Sequence, residues 1–493
     1  MAVVLLWTPP TLYLFWLVIH REPLPIADLR TSALVTTLFC ALTIASLVIV
    51  HRLPLLSFPS LFLGVTFLFT CSPLILYQIQ GLDAFSQWEW VDIPSVLASM
   101  PIVMLAFSSF LLGSSLVRTF DGTTGVARTD SDPPSAEERA LRTLGFAIYA
   151  VCGVIALAST IAGGSLRLAF EGGYSAYRGA RRAGEISQVV GVSLVYLLPW
   201  SLLILAATSR DRRSRRQVVL LAIPFFVVML AAGSRGASIA TMAVLASAAY
   251  LSGARINWRR TFALAALIAF LIPTVLNLRK APISQWSGET FRSAVSNDVQ
   301  ATTTYGRGPI EGFLSAMSNS FQTLMATVKV VPDQQGFHYG TDYLSSLNVA
   351  IPFRAELLPL IGVRFDRQPP SQWILQSLHP GRRAGPGYMQ IAEAYLQFGA
   401  FGVVGLYLLL GSAWTWLWRS MASKGWDRRA LALTLIVMME SLVWVRNSST
   451  DFVRPVSWGW IIAYAIPWFL VLQRRARSIP RVPMGSSREG APT

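Results

Sequence analysis

Charge is scarce in this chain. Asp, Glu, Lys and Arg make up 13% of its 493 residues, about half the share found in soluble domains. Hydrophobic residues reach 53%, and the mean hydropathy is +0.50. A string of soluble domains is thereby excluded. Apolar runs reach the roughly 20 residues that a bilayer span needs, so the chain reads as a polytopic membrane protein of all-α class. Cysteine is almost absent: Cys40, Cys71 and Cys152 all fall in apolar runs. They offer no exoplasmic disulfide and no thiolate spacing suited to a metal. Histidine is limited to four residues, and no His, Cys and Asp gather at ligand spacing, so no protein-held metal and no cofactor are expected. No internal repeat is visible, and low complexity is confined to the stretch near 121 and the tail from Met484.

Acidic residues are the rarer charge, 25 against 41 Lys and Arg, for a net charge of +16. In a soluble chain that excess would suggest nucleic acid. Here the basic residues flank apolar runs, where they face anionic headgroups, and nucleic acid is not expected as a partner. About twelve spans are expected, at roughly 3–19, 31–50, 56–79, 94–117, 143–163, 188–208, 217–233, 236–252, 261–278, 391–417, 430–446 and 456–472. The first is interrupted by Pro9-Pro10, and no basic region precedes it, which argues against a cleaved signal peptide. A cytoplasmic N-terminus places Arg118 to Arg142, Arg210 to Arg216, Arg255 to Arg260, Arg419 to Arg429 and Arg474 to Arg477 inside, as the positive-inside rule asks.

This topology divides the chain into spans within 1–278, an exoplasmic loop at 279–390, spans within 391–473 and a cytoplasmic tail at 474–493. A loop of about 110 residues exceeds ordinary connections and must have structure of its own. Three or so short helices are expected in it. Gly308-Pro309 with Glu311 reads as a helix start, and an apolar stripe follows from Phe313 through Val328, ending before Pro332. The stripe would lie on the bilayer surface or cap the bundle.

The stretch Gly385-Pro-Gly-Tyr-Met-Gln-Ile-Ala-Glu-Ala-Tyr-Leu-Gln-Phe-Gly399 runs from a basic, proline-rich segment into a span that carries a carboxylate. A charge in hydrocarbon costs roughly 2.5–3.5 kcal/mol even on lenient scales, which marks Glu393 as a working residue or as the structural partner of an arginine. At 100° per residue Gln390, Glu393 and Gln397 share one face, while Gly399, Gly402 and Gly405 lie opposite, where small residues allow close helix packing. Glu440, deep in the eleventh span, reads as a bundle buttress.

Outer segments that the positive-inside rule would keep poor in arginine carry Arg235, in the tight turn Gly233-Ser-Arg-Gly236, together with Arg279, Arg382, Arg383, Arg446 and Arg454. Arginine forks bind phosphate bidentately. Arg235, Arg279, Arg382 and Arg383 are therefore candidates to hold a diphosphate, with interfacial anchoring as the alternative for Arg235 and Arg279. For proton abstraction Glu393 comes first, then His379, then Asp451. His379, before Pro380-Gly381, would otherwise simply end a short helix. Tyr388, Gln390, Gln397, Asp451 and Arg454 complete the expected substrate-binding set.

The turn Gly233-Ser-Arg-Gly-Ala237, the large late loop and the Gly-Tyr-Met-Gln-Ile-Ala-Glu-Ala-Tyr-Leu-Gln-Phe-Gly stretch resemble the oligosaccharide repeat-unit (O-antigen, Wzy-type) polymerases, an organisation that covers nearly the whole chain. The resemblance implies a metal-independent transferase with a GT-C-like bundle in the bacterial cytoplasmic membrane, its active site facing the periplasm. It would transfer a growing glycan from a polyprenyl diphosphate onto an acceptor sugar hydroxyl of the next lipid-linked repeat unit. Its implied partners are that lipid-linked oligosaccharide, membrane lipid, a chain-length regulator and a flippase. The arginine-x10-glycine loops of some members are absent, since the eleventh residue after Arg167 is Arg178 and after Arg382 is Glu393. An O-antigen ligase would share the leaving group, but the histidine followed eleven residues later by glycine is missing after both His338 and His379. A transferase using polyprenyl-phosphate sugars would carry an acidic pair in the first outer loop, which holds only Glu22 and Asp28. A lipid-linked oligosaccharide flippase would set its charges near the bilayer midplane, whereas these cluster at the outer edge.

Overall fold

The structure, a computed structural model, describes residues 2–26, 28–85, 92–117, 134–162, 197–231, 235–252, 309–348, 387–424 and 427–469, with 259, 274, 287–289, 370 and 373–374. The expected span at 261–278 apart from Thr274, the tail, and Arg279, His379, Arg382 and Arg383 lie outside the described residues. Fourteen α-helices are described: α1 (Ala2–His20), α2 (Leu29–Ile49), α3 (Phe58–Gln80), α4 (Ile93–Leu116), α5 (Ala136–Ala162), α6 (Leu197–Ala207), α7 (Arg212–Ala231), α8 (Arg235–Leu251), α9 (Pro309–Ser318), α10 (Phe321–Val330), α11 (Thr341–Asn348), α12 (Gln390–Lys424), α13 (Arg428–Trp444) and α14 (Thr450–Trp460). No strand occurs among the described residues.

Among the described residues five helices are long and apolar enough to cross a membrane: Val3–His20, Leu29–Ile49, Phe58–Phe85, Ile93–Leu116 and Gln390–Ala422. Leu197–Ala207 and Gly236–Leu251 are shorter apolar helices. Helix starts follow local chemistry. Asp28 accepts from Thr31 N at 2.7 Å and Asp92 from Ser95 N at 2.8 Å, each satisfying an amide that the first turn leaves unpaired.

Pro9-Pro10 does not interrupt the first helix, which runs through both prolines. The hydroxyls of Thr8 and Thr11 bond back to Val4 O and Trp7 O, both at 2.6 Å, in the turns around the missing amides. These bonds go to carbonyls beside the ones that the prolines leave free, those of Leu5 and Leu6.

Buried α4 forms the spine and packs on α1, α2 and above all α12. The α4/α12 crossing is made by glycine. A Cβ on Gly113 would lie 2.1 Å from Leu408 O, and one on Gly411 would lie 2.1 Å from Phe110 O. The two backbones touch, and Ser412 Oγ donates to Gly113 O at 2.9 Å while Ser114 Oγ donates to Gly411 O at 3.2 Å. Of the stripe expected to serve this purpose, Gly405 faces open space and Gly402 meets Ala394 O of its own helix. The expectation misplaced the packing face because α12 changes direction at Phe398–Gly399.

The late loop contributes three described helices. Its apolar stripe is split into α9, on α3, and α10, on α4 and α12. Leu314, Met317, Phe321, Leu324, Met325 and Val328 are all buried. The stripe therefore caps the bundle instead of lying on a bilayer surface. At this end Arg21 pairs with Asp333 and donates to Val328 O at 3.1 Å, and Lys329 Nζ meets Asp92 Oδ2 at 2.6 Å. Burial opposes ionisation of Asp92, but the bonds from Lys329 and Ser95 outweigh it and hold the carboxyl below the usual range. The opposite end is tied by Arg210 to Glu138, Arg429 to Glu137 at 3.0 Å, and Arg419 to Val117 O at 2.8 Å.

Candidate functional site at the start of α12

α12 is two helical segments joined by a break. Phe398 (φ −143, ψ 19) and Gly399 (φ 59, ψ −138) leave the helical region, the second in a conformation that essentially only glycine adopts without strain. Carbonyls preceding a break in a helix need new donors. The turn after α10 supplies them: His338 N donates to Leu396 O at 3.0 Å and Tyr339 N to Gln397 O at 2.9 Å. Tyr339 has φ 48 there, and its ring is exposed. The helix break thus fixes the late loop against the bundle.

Before the break the polar face is real and points inward. Gln390, Glu393 and Gln397 are all fully buried. Glu393 Oε1 accepts from Ser449 Oγ at 2.6 Å, and its Oε2 accepts from Ser449 N at 2.8 Å, with Trp444 Nε1 at 3.5 Å. Ser449 is the N-cap of α14, so the carboxylate sits at a helix N-terminus whose partial positive charge suits it. No arginine bonds Glu393 among the described contacts; its donors come from the α13–α14 corner.

One turn further along, Gln397 Nε2 donates to Asp342 Oδ2 at 2.6 Å, and the same oxygen lies 2.5 Å from His338 Nδ1. His338 Nε2 lies 2.9 Å from Gln335 Nε2. Because an amide nitrogen only donates, these partners place the imidazole proton on Nδ1 and leave Nε2 as acceptor. Ser346 connects the two groups, bonding to Asp342 O at 2.8 Å and to Ser449 Oγ at 2.6 Å. Ser346 thus sets Ser449, and with it Glu393, beside the backbone of Asp342, whose side chain meets His338 and Gln397.

Among the described residues three polar atoms around this cluster are buried without a hydrogen-bond partner: Tyr343 OH, Gln390 Nε2 and Gln397 Oε1. Buried polar atoms are nearly always paired, so such a concentration marks a place built to meet a polar ligand. Burial pushes the Tyr343 phenol well above its usual range, and nearby Glu393 adds to the shift; the hydroxyl is held as a neutral donor.

Tyr388 is fully buried, and its hydroxyl lies 2.7 Å from Thr327 Oγ1, which ties α10 to the start of α12. Gln390 N donates to Val445 O at 3.2 Å, and Gln390 Oε1 accepts from Tyr407 OH at 3.2 Å. Asp451 stands in the first turn of α14 with Arg454 one turn on, both at the surface. Arg235 opens α8. A Cβ on its neighbour Gly236 would lie 4.0 Å from Arg446 Cδ, and one on Gly387 would lie 2.3 Å from Arg446 O. Gly236, in the first turn of α8, and Gly387, just before α12, therefore both approach Arg446, whose guanidinium lies over Phe69. Glu440 accepts from Trp200 Nε1 at 2.7 Å and buttresses α13 against α6.

Sequence reasoning passed over His338, Asp342, Tyr343, Ser346 and Ser449 as site residues. One signal was available: a histidine and an aspartate four apart across a helix start, in Gly336-Phe-His-Tyr-Gly-Thr-Asp342. Ser449 carried none, because its role depends on a contact 56 residues distant in sequence. Among the described residues no group of three or more His, Cys, Asp or Glu could hold a metal ion.

No curated protein and no solved structure matches the chain. The family model for O-antigen polysaccharide polymerase Wzy matches residues 15–474, nearly the whole length. A polar, carboxylate-bearing cluster where a membrane helix begins, capped by a folded loop, accords with such a match: the chain belongs to the O-antigen polysaccharide polymerase Wzy family, membrane proteins of polysaccharide biosynthesis that act on lipid-linked oligosaccharide repeat units.

Proposed function

We propose that the chain polymerises polyprenyl-diphosphate-linked repeat units at the periplasmic face of the bacterial inner membrane, in a bundle of about twelve spans. The concentration of unpartnered buried polar atoms around Glu393 and Asp342 carries this reading, because a sugar supplies many hydroxyls to such a cluster. In the reaction the acceptor hydroxyl oxygen bonds to the anomeric carbon of the growing glycan. The bond from that carbon to the diphosphate oxygen breaks, its electron pair stays on the leaving polyprenyl diphosphate, and the hydroxyl proton passes to a base.

Positive charge fixed beside the diphosphate lowers this barrier. Gly236 and Gly387 both approach Arg446, and Arg235, Arg279, Arg382 and Arg383 join it in this reading, so the leaving group is stabilised without a metal. Glu393 supplies the complementary charge. A transition state with positive character at the anomeric carbon favours a buried carboxylate, held rigidly by Ser449. Exposed Tyr339 offers an aromatic face to a sugar ring.

A flippase moves its substrate unchanged, and a ligase needs a different acceptor. Purified protein reconstituted with lipid-linked repeat units tests all three. The polymerase reading expects a ladder of lipid-linked glycans rising in single repeat units, with one polyprenyl diphosphate released per step. Repeat units that cross the bilayer without growing, or that grow only when a lipid A core is supplied, would overturn it.

A further inference from the structure

Resting on the polymerase reading, we infer that His338 is the proton acceptor for the attacking sugar hydroxyl, that Asp342 is its positioning residue, and that the Gln335 amide occupies the place the hydroxyl takes. The imidazole of His338 is oriented at one nitrogen by a carboxylate at 2.5 Å and is met at the other, among the described residues, by the Gln335 amide at 2.9 Å, with the Trp373 ring edge-on to it. Asp342 is itself fixed by Gln397 at 2.6 Å. A base held in one tautomer by a buried carboxylate is the arrangement that proton abstraction needs.

Glu393 is less suited to that step. Its oxygens already accept from a backbone amide, a hydroxyl and an indole, all on the α13–α14 corner, which suits it to a fixed charge beside the anomeric carbon more than to taking up a proton. Gln335 sits half-buried in the turn after α10 and swings away by side-chain rotation alone. Backbone conformation adds an independent sign. The residue after His338 has φ 48, a left-handed conformation that costs about 1–3 kcal/mol and gathers at functional sites. It is sustained by the bonds from His338 N and Tyr339 N to the carbonyls before the α12 break.

The step balances. The acceptor O–H proton moves to His338 Nε2 as the oxygen bonds to the anomeric carbon, and the released diphosphate carries the electron pair of the broken bond. The imidazolium, facing Asp342, then returns its proton to water.

The test uses the full chain in liposomes with lipid-linked repeat units, reading ladder formation in single-turnover and steady-state modes. His338→Gln is expected to lower the transfer rate by about 10²–10⁴-fold with KM within about threefold of wild type. His338→Ala should regain transfer when imidazole is added, whereas wild type should not respond. Asp342→Asn should lower kcat with little change in KM and no response to imidazole, and it keeps the proposal testable if the His338 variants fail to fold. A His338→Gln protein that builds ladders within threefold of the wild-type rate, a folded His338→Ala protein that imidazole leaves inert, or an Asp342→Asn protein with unchanged kcat would each overturn the assignment. A wild-type protein that makes no ladder would instead overturn the polymerase reading, and this inference with it.

Discussion

The two segments of α12 are built for different tasks. The eight residues from Gln390 to Gln397 bury two amides and a carboxylate, each engaged by a different element: Tyr407 of the second segment, the α13–α14 corner, and α11. Beyond the break, as far as Ala422, the second segment buries no charged residue; its buried polar atoms include the hydroxyls of Tyr407, Thr415 and Ser420 and the indole nitrogen of Trp414. It meets α4 through glycine, backbone to backbone. Polar groups are costly in a bilayer, so they are concentrated in the segment that the late loop covers. The remainder obtains its attraction from close packing, as helices in lipid do. Changes in the second segment should therefore affect folding, and changes in the first should affect chemistry.

The largest stability effect should come from Gly411→Leu. A Cβ there would already lie 2.1 Å from Phe110 O, so the α4/α12 crossing must open. Overpacking costs about 1–3 kcal/mol where side chains yield, and backbone yields less readily. Thermal unfolding in detergent should show a lowered midpoint, with activity lost in proportion to the folded fraction. An unchanged midpoint would mean that the crossing is not a structural joint.

Gly399→Ala sits on the boundary between the segments and should have a mixed effect. Its backbone conformation disfavours a side chain by about 1–3 kcal/mol, and a Cβ would lie 3.0 Å from the Phe337 ring. Because the break presents the carbonyls that hold His338 and Tyr339, turnover at a temperature where the protein stays folded should fall more than stability does. Equal loss of both would remove the distinction drawn at the break.

The smallest effect belongs to Lys329→Met, at the rim. Its bond to Asp92 is about 40% exposed on either side, and such pairs contribute about 0–1 kcal/mol. The Asp92 carboxyl lies below its ordinary range when folded. Its contribution is thus fully present above the unfolded-state pKa and is lost as pH falls through the lower folded value. Wild type and variant should converge in stability on the acid side, and divergence there would contradict the sign.

The polar face of α12 was legible because helical periodicity holds from Gln390 to Gln397, and a carboxylate in an apolar run has few bland explanations. Periodicity then misled at Gly399, which reads as a packing residue in sequence but is the point where the helix bends; the true packing glycines, Gly113 and Gly411, had no pattern of their own. In the late loop the helix start read from Gly308-Pro309 is found, α9 beginning at Pro309. The site's second half was hidden because His338 and Asp342 gain their meaning from Gln397, 55 residues beyond Asp342. Pro9-Pro10 shows the reverse error: it reads as an interruption in sequence, yet the helix runs through both prolines.

The central claim, that the first segment of α12 carries the chemistry, is tested most directly by the transfer rate of Glu393→Gln. A glutamine keeps the shape, and the Ser449 hydroxyl can turn to accept from its amide, so little beyond the charge is removed. The expected result is a loss of ladder formation of about 10²-fold or more, with an unfolding midpoint within a few degrees of wild type and lipid-linked repeat units still bound. A Glu393→Gln protein that polymerises at the wild-type rate, or one whose lost activity is matched by lost folding, would contradict it.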